Sequence, residues 1–201
     1  MDQYVLKPDT SSTWKQRNAI RLLALFKWRV LAAPLPGPRG VLIIYPHTSN
    51  WDFVLGMLAK WAVGIPFRWL AKESLFRGVV GAVCGRMWRS WGGEPVERHT
   101  NTGAIDRLAV RFHAADWYWL GLSPEGTRNF RPRWRSGFYH ITLAAKVPLA
   151  LAYLDYTNKE IGMIDFVELS GDVEADVALI RAKYEGRRGL HPELAAPIKL
   201  S

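Results

Sequence analysis

From residue 41 onward, short β-branched or aromatic runs alternate with segments of helical length, and that alternation admits few architectures besides an α/β fold with a mostly parallel sheet. Strands are expected at Val41 to Tyr45, Phe67 to Ala71, Tyr118 to Ser123, Pro148 to Leu154 and Met163 to Leu169. Helices are expected over residues 53–63, 74–90, 102–115, 136–146 and 172–184. The stretch A-P-L-P-G-P-R-G at residues 33–40 holds three prolines and two glycines, which excludes a continuous helix and marks a boundary. Residues 1–35 are therefore expected as an N-terminal helical arm, and residues 36–201 as one α/β domain whose mixed, mostly parallel central sheet is flanked by helices.

The chain has 201 residues, 49% of them hydrophobic, enough for one compact core and too few for two ordinary domains with a linker. Its single cysteine, Cys84, excludes an intramolecular disulfide, so a cytoplasm-facing protein is expected. The opening M-D-Q-Y-V-L-K-P lacks a basic start followed by an apolar run, and no secretory leader is expected. The most apolar stretches are interrupted by Arg21, Lys27 and Arg29, or by Lys60 and Pro66, which argues against a membrane-spanning helix.

A formal charge of +9 predicts attraction to polyanions: nucleic acid, anionic lipid, phosphorylated substrates or an acidic carrier protein. Ten tryptophans suit a membrane interface, and they suit core packing equally. Trp14 to Leu31 mixes aromatic and aliphatic residues with Lys15, Arg17, Arg21, Lys27 and Arg29, as interfacial helices do. A helical wheel scatters those cations around the axis, so an interfacial anchor and an arm packed on the domain both fit.

In open α/β sheets chemistry gathers beyond the carboxyl ends of the strands. Two polar clusters fall there. In Y-P-H-T-S-N-W-D-F, His47 leaves the first expected strand and Asp52 enters the following helix. Neutral imidazole is suited to take a hydroxyl proton near neutral pH, and a carboxylate on its other nitrogen would hold the tautomer and stabilise the imidazolium. Alone, a histidine and aspartate at this spacing arise by chance in roughly one such chain in four. A strand-end histidine beside a dipole-favouring aspartate accounts for them as well.

The second cluster is S-P-E-G-T-R. Gly126 permits close backbone approach, Arg128 offers a fork matched to phosphate, and Glu125 can bond a polyol hydroxyl or hold an arginine. A plain turn carrying a solvated arginine is the alternative. Between the clusters W-G-G-E-P-V-E-R places Arg98 after a short extended piece, and R-N-F-R-P-R-W-R gathers Arg128, Arg131, Arg133 and Arg135. No G-x-S-x-G elbow or paired metal-ligand spacing appears, and Cys84 reads as a packed residue.

Taken together and in this order, the segments resemble the glycerolipid acyltransferases, which include the bacterial lysophosphatidic acid acyltransferases. The resemblance covers residues 40–155 and rests on His47 to Asp52 (His-x4-Asp), Gly92 to Arg98, Pro124 to Arg128 (Pro-Glu-Gly-Thr-Arg) and Val147-Pro148 before a strand, with A-K-E-S-L-F at residues 71–76. It implies a glycerol-phosphate acyltransferase-like fold and acyl transfer from acyl-CoA or acyl carrier protein, as co-substrate, to a hydroxyl of a lysophospholipid such as 1-acylglycerol 3-phosphate. It implies His47 as general base with Asp52 behind it, and Arg98, Glu125, Gly126, Thr127, Arg128 and Lys72 about the acceptor. No cofactor or metal is implied. Pro46 and Ser123 depart from the family's usual Asn and Phe. The expected setting is the cytoplasmic face of the cell membrane, held peripherally by anionic lipid. The alternatives are a basic nucleic-acid-binding domain, for which no named motif is present, and a catalytically silent lipid-surface module.

Overall fold

A computed structural model describes residues 3–10, 13–96 and 103–201. Its eight strands are β1 (Tyr4–Val5), β2 (Arg29–Ala32), β3 (Arg39–Ile44), β4 (Arg68–Lys72), β5 (Gly93–Val96), β6 (Tyr118–Leu122), β7 (Leu149–Asp155) and β8 (Glu160–Val167). The helices are α1 (Trp14–Leu25), α2 (Trp51–Val63), α3 (Gly78–Ser90), α4 (Ala104–Ala114), α5 (Gly137–Ala145) and α6 (Val173–Lys183). One sheet runs in the order β1-β2-β8-β7-β3-β6-β4-β5. It is parallel except at the β1–β2 and β7–β8 pairs.

Strand β3 is central because both its faces are apolar. Val41 and Ile43 face a core with Leu149, Leu151, Phe138, Val177 and Ile180, while Leu42 packs on the other face with Trp119, Ala150 and Met163. A strand buried on both sides reads as a continuous apolar run, as V-L-I-I does. Gly40 lets the chain enter under Trp119, since a Cβ there would lie 2.3 Å from the indole ring.

The segment expected as a helical arm also carries two strands. Pairing of β2 with β8, and of β1 with β2, makes it part of the central sheet. A capping box of Thr13 and Gln16 starts α1, and Ala19, Ile20 and Leu23 pack it on Leu55, Ala59 and Ala62 of α2. Its other side leaves Leu22, Leu25 and Phe26 exposed. Strand β8 starts three residues before the expected Met163 and pairs antiparallel with β7, because the short turn after Asp155 allows only a hairpin. The tryptophans divide. Trp61, Trp69, Trp88 and Trp91 join Phe53 in edge-to-face contacts, while Trp14 and Trp51 stand out in solvent. Among the described residues no helix is long and apolar enough to cross a membrane.

The register sets the site. With Ile43 opposite Leu122 and Ile44 opposite Ala152, the chain leaves β3, β6 and β7 at one rim of the sheet.

Candidate active site

Beyond Ile44 the chain passes through a cis Tyr45–Pro46 peptide bond and presents His47, half-buried, ahead of α2. Asp52 lies in the first turn of that helix and is buried. Its Oδ2 accepts the main-chain N–H of Thr48 (2.7 Å) and of Ser49 (2.8 Å), so the carboxylate folds back over the turn that precedes it. The Ser49 Oγ accepts the Trp51 N–H at 3.2 Å, supplying the cap that Asn50 does not. This tight turn brings His47 Nδ1 to 3.2 Å from Asp52 Oδ2. The expected pairing of imidazole and carboxylate is therefore formed, and Nε2 is the ring nitrogen that Asp52 does not engage.

Tyr156, just beyond β7, donates its hydroxyl to Asp52 Oδ1 at 2.6 Å. Burial alone would raise the Asp52 carboxyl, but hydrogen bonds from His47, Tyr156 and the Ser49 N–H outweigh it and hold the group below the usual carboxylate range. Asp52 is thus an anion facing the imidazole, ready to stabilise positive charge there.

Glu125 has a different task from the expected contact with an acceptor hydroxyl. It is 2% exposed, and both oxygens are occupied by main chain: Oε2 accepts the His47 N–H (2.6 Å) and Oε1 accepts the Ala196 N–H (2.9 Å). The carboxylate ties the turn of His47 to the C-terminal segment. That segment makes further bonds here. The His191 N–H reaches Thr48 Oγ1 at 3.2 Å, and the Tyr45 hydroxyl donates to the Ala196 carbonyl at 3.1 Å. Gly189 presses so closely on Thr48 that a Cβ would come within 2.5 Å of its hydroxyl.

The Pro-Glu-Gly-Thr-Arg turn climbs from the buried Pro124 through half-buried Gly126 and Thr127 to an exposed Arg128. Gly126 has φ +65°, and Arg135 crosses it so closely that a Cβ would lie 3.0 Å from the Arg135 Cδ and Nε. The Thr127 hydroxyl accepts the Asn129 N–H at 3.3 Å. Arg128 projects into solvent and forms no ion pair among the described residues. Lys72 ends β4 with its backbone opposite Val96 of β5, and Arg98 lies outside the described residues. His140 and His191 are exposed, and Cys84 sits half-buried on α3. No group of three His, Cys, Asp or Glu side chains among the described residues is placed to hold a metal ion.

The contributions of Tyr156, His191 and Ala196 escape a reading of the sequence. The first is separated from Asp52 by 104 residues, and the other two act through main-chain N–H groups, which any residue but proline carries. The one available signal for Tyr156 is its place at the carboxyl end of the strand expected at Pro148 to Leu154.

Burial pushes the Glu125 carboxyl from 4.5 up to about 7, a rise to which the Asp52 charge adds and which the Ala196 and His47 N–H groups oppose. Because the folded state holds this proton more tightly than the unfolded chain, the resulting stability is full below pH 4.5 and is lost as pH rises through about 7. Glu125→Gln, which cannot titrate, should remove that slope, so that wild type loses on the order of 3 kcal/mol relative to the variant across the window. Denaturant unfolding at a series of pH values measures it, and parallel stability curves would contradict the assignment.

Comparison with known proteins places this geometry in context. The Acyltransferase family profile matches residues 31–152, which include both His47 and Glu125. The crystal structure of PlsC, the 1-acyl-sn-glycerophosphate (LPA) acyltransferase of Thermotoga maritima, aligns with a TM-score of 0.55 at 15% identity, over 87% of this chain and 79% of that one. At that identity the likeness is one of fold. No curated protein sequence matches the chain.

Proposed function

Since the chain belongs to the acyltransferase family, we propose that it transfers a fatty acyl group from a thioester, acyl-CoA or acyl carrier protein, to a hydroxyl of a lysophospholipid such as 1-acylglycerol 3-phosphate. The observation that carries this reading is the 3.2 Å approach of His47 Nδ1 to an Asp52 carboxylate already held by two N–H groups and a phenol. Such a carboxylate fixes the Nδ1–H tautomer and leaves Nε2 as the base. The acceptor hydroxyl gives its proton to Nε2 as its oxygen attacks the thioester carbonyl carbon. Collapse of the tetrahedral intermediate breaks the C–S bond, and the departing thiolate takes the proton from the imidazolium. Ester and thiol are the products, with no acyl-enzyme and no cofactor required. The name of the Thermotoga maritima neighbour supports a glycerophosphate acceptor.

Arg128, exposed at the same rim, and Arg98 would grip the acceptor phosphate, with Gly126 and Thr127 shaping the turn before Arg128 and Lys72 at the end of a neighbouring strand. The partner surface would be an anionic membrane. Leu25 is 74% exposed, Phe26 60% and Trp51 63%. They stand at the catalytic rim, because the Phe26 carbonyl meets Lys159 of the β7–β8 turn and Trp51 adjoins Asp52. Arg21 and Lys27 flank the apolar group, in keeping with the net charge of +9 and a peripheral place on the inner face of the cell membrane.

Following acylated lysolipid and released thiol, His47→Ala should lower transfer by roughly 10²- to 10⁴-fold while leaving the thermal melt near that of wild type. Equal product from both proteins would end the proposal. Arg128→Ala should raise the acceptor KM with a smaller change in kcat; an unchanged KM would remove it from phosphate recognition. For the surface, the double change Leu25→Ser and Phe26→Ser should reduce sedimentation with anionic vesicles by about tenfold or more, and unaltered binding would point to another contact face.

A further inference from the structure

The Asp52 carboxylate is held unevenly. Oδ2 serves two main-chain donors and the imidazole, all from residues within five positions of Asp52. Those contacts engage one oxygen only. A buried Oδ1 without a donor of its own would favour a turn about the Cβ–Cγ bond that shares the donors of Oδ2 between the two oxygens. Among the described residues Oδ1 is held by the Tyr156 hydroxyl alone, at 2.6 Å, so that with Tyr156 in place both oxygens are satisfied where they stand.

Tyr156 is itself fixed from two sides. Its N–H donates to the Arg188 carbonyl at 2.9 Å, and the Trp28 ring meets its ring edge-on at 4.9 Å and 89°. Trp28 is buried between α1 and β2. The phenol therefore reaches Asp52 from a braced turn. Burial, with the Asp52 carboxylate beside it, keeps the phenol protonated well above its ordinary value, so it stays a donor across the physiological range.

We propose that Tyr156 is a positioning residue for acyl transfer: by holding Oδ1 of Asp52 it keeps the carboxylate from turning, so that Oδ2 goes on accepting from Nδ1 of His47, which keeps Nε2 free of a proton and able to act as base. This rests on the acyltransferase reading above. An imidazole without such a partner prefers its proton on Nε2, and in that tautomer it cannot accept one from the acceptor hydroxyl. Removing the phenol leaves Oδ1 buried without a donor, and the carboxylate turns toward whichever N–H is nearest.

The test is Tyr156→Phe in the full chain, which deletes one oxygen and keeps the ring that packs on Trp28. Its kcat should fall about tenfold, the kinetic equivalent of one hydrogen bond to a charged group, with acceptor KM within about twofold of wild type. In histidine-labelled protein at mildly alkaline pH, the ¹⁵N signals of His47, assigned by their loss in His47→Gln, should show a protonated Nδ1 and an unprotonated Nε2 in wild type. In Tyr156→Phe they should move toward the Nε2-protonated form. An unchanged tautomer overturns the proposal, whatever happens to activity. A fall in kcat that only tracks a lower melting temperature, with the tautomer intact, also overturns it by showing a merely structural role. Should wild type give no His47-dependent transfer, the acyltransferase reading falls, yet the tautomer comparison still decides whether Tyr156 orients the pair.

Discussion

The site depends on one buried carboxylate that forms no ion pair among the described residues. Glu125 joins the main chain at His47 to the main chain at Ala196, two points 149 residues apart, through two N–H···O bonds inside the protein. Burying a charged or easily charged group is unfavourable unless its oxygens are occupied, and here both are. The turn that carries the base is thereby fixed at its first residue. From that point Thr48 and Ser49 close onto Asp52, and Tyr156 closes the far side.

The layers of the sheet explain why these parts meet. Parallel β3, β6 and β7 are neighbours in register, so the residues that follow them emerge together: His47 from the first, Glu125 from the second and Tyr156 from the third. From Val41 in β3, and along β6 and β7, the strands are apolar up to this rim, where they turn polar. Such segregation lets a few buried acids be held by short bonds without disturbing the packing beneath. Tyr184 strengthens it by donating to the Ile43 and Ala152 carbonyls, bracing the ends of β3 and β7 where the ladder runs out.

Much of this arrangement could be read from residue patterns, and the portions that could not share a cause. The runs V-L-I-I and L-A-L-A-Y-L state their burial directly, and the helices end where glycine or a polar turn dictates. The His-x4-Asp spacing states a local contact, since a helix beginning at Trp51 brings Asp52 back toward Thr48 whatever the rest of the chain does. The motif that holds Glu125 is legible in the sequence while its bonds are not, because a carboxylate bonded to main-chain N–H groups leaves no partner residue to suggest them. β2 went unread: R-V-L-A is short, preceded by a helix, and becomes a strand only because β8 offers it an edge. The antiparallel turn of β8 and the approach of Tyr156 are likewise long-range facts.

The bond from Ala196 to Glu125 also bears on the order in which the molecule matures. A ribosome delivers His47 and Asp52 well before Ala196, the residue that anchors them, and every strand of the sheet is made in between or earlier. Until Ala196 has emerged, the polypeptide can therefore pair its imidazole and carboxylate locally but cannot lock the turn that presents them. Competence therefore follows the making of the whole sheet, after most of the apolar interior has already been put away from water.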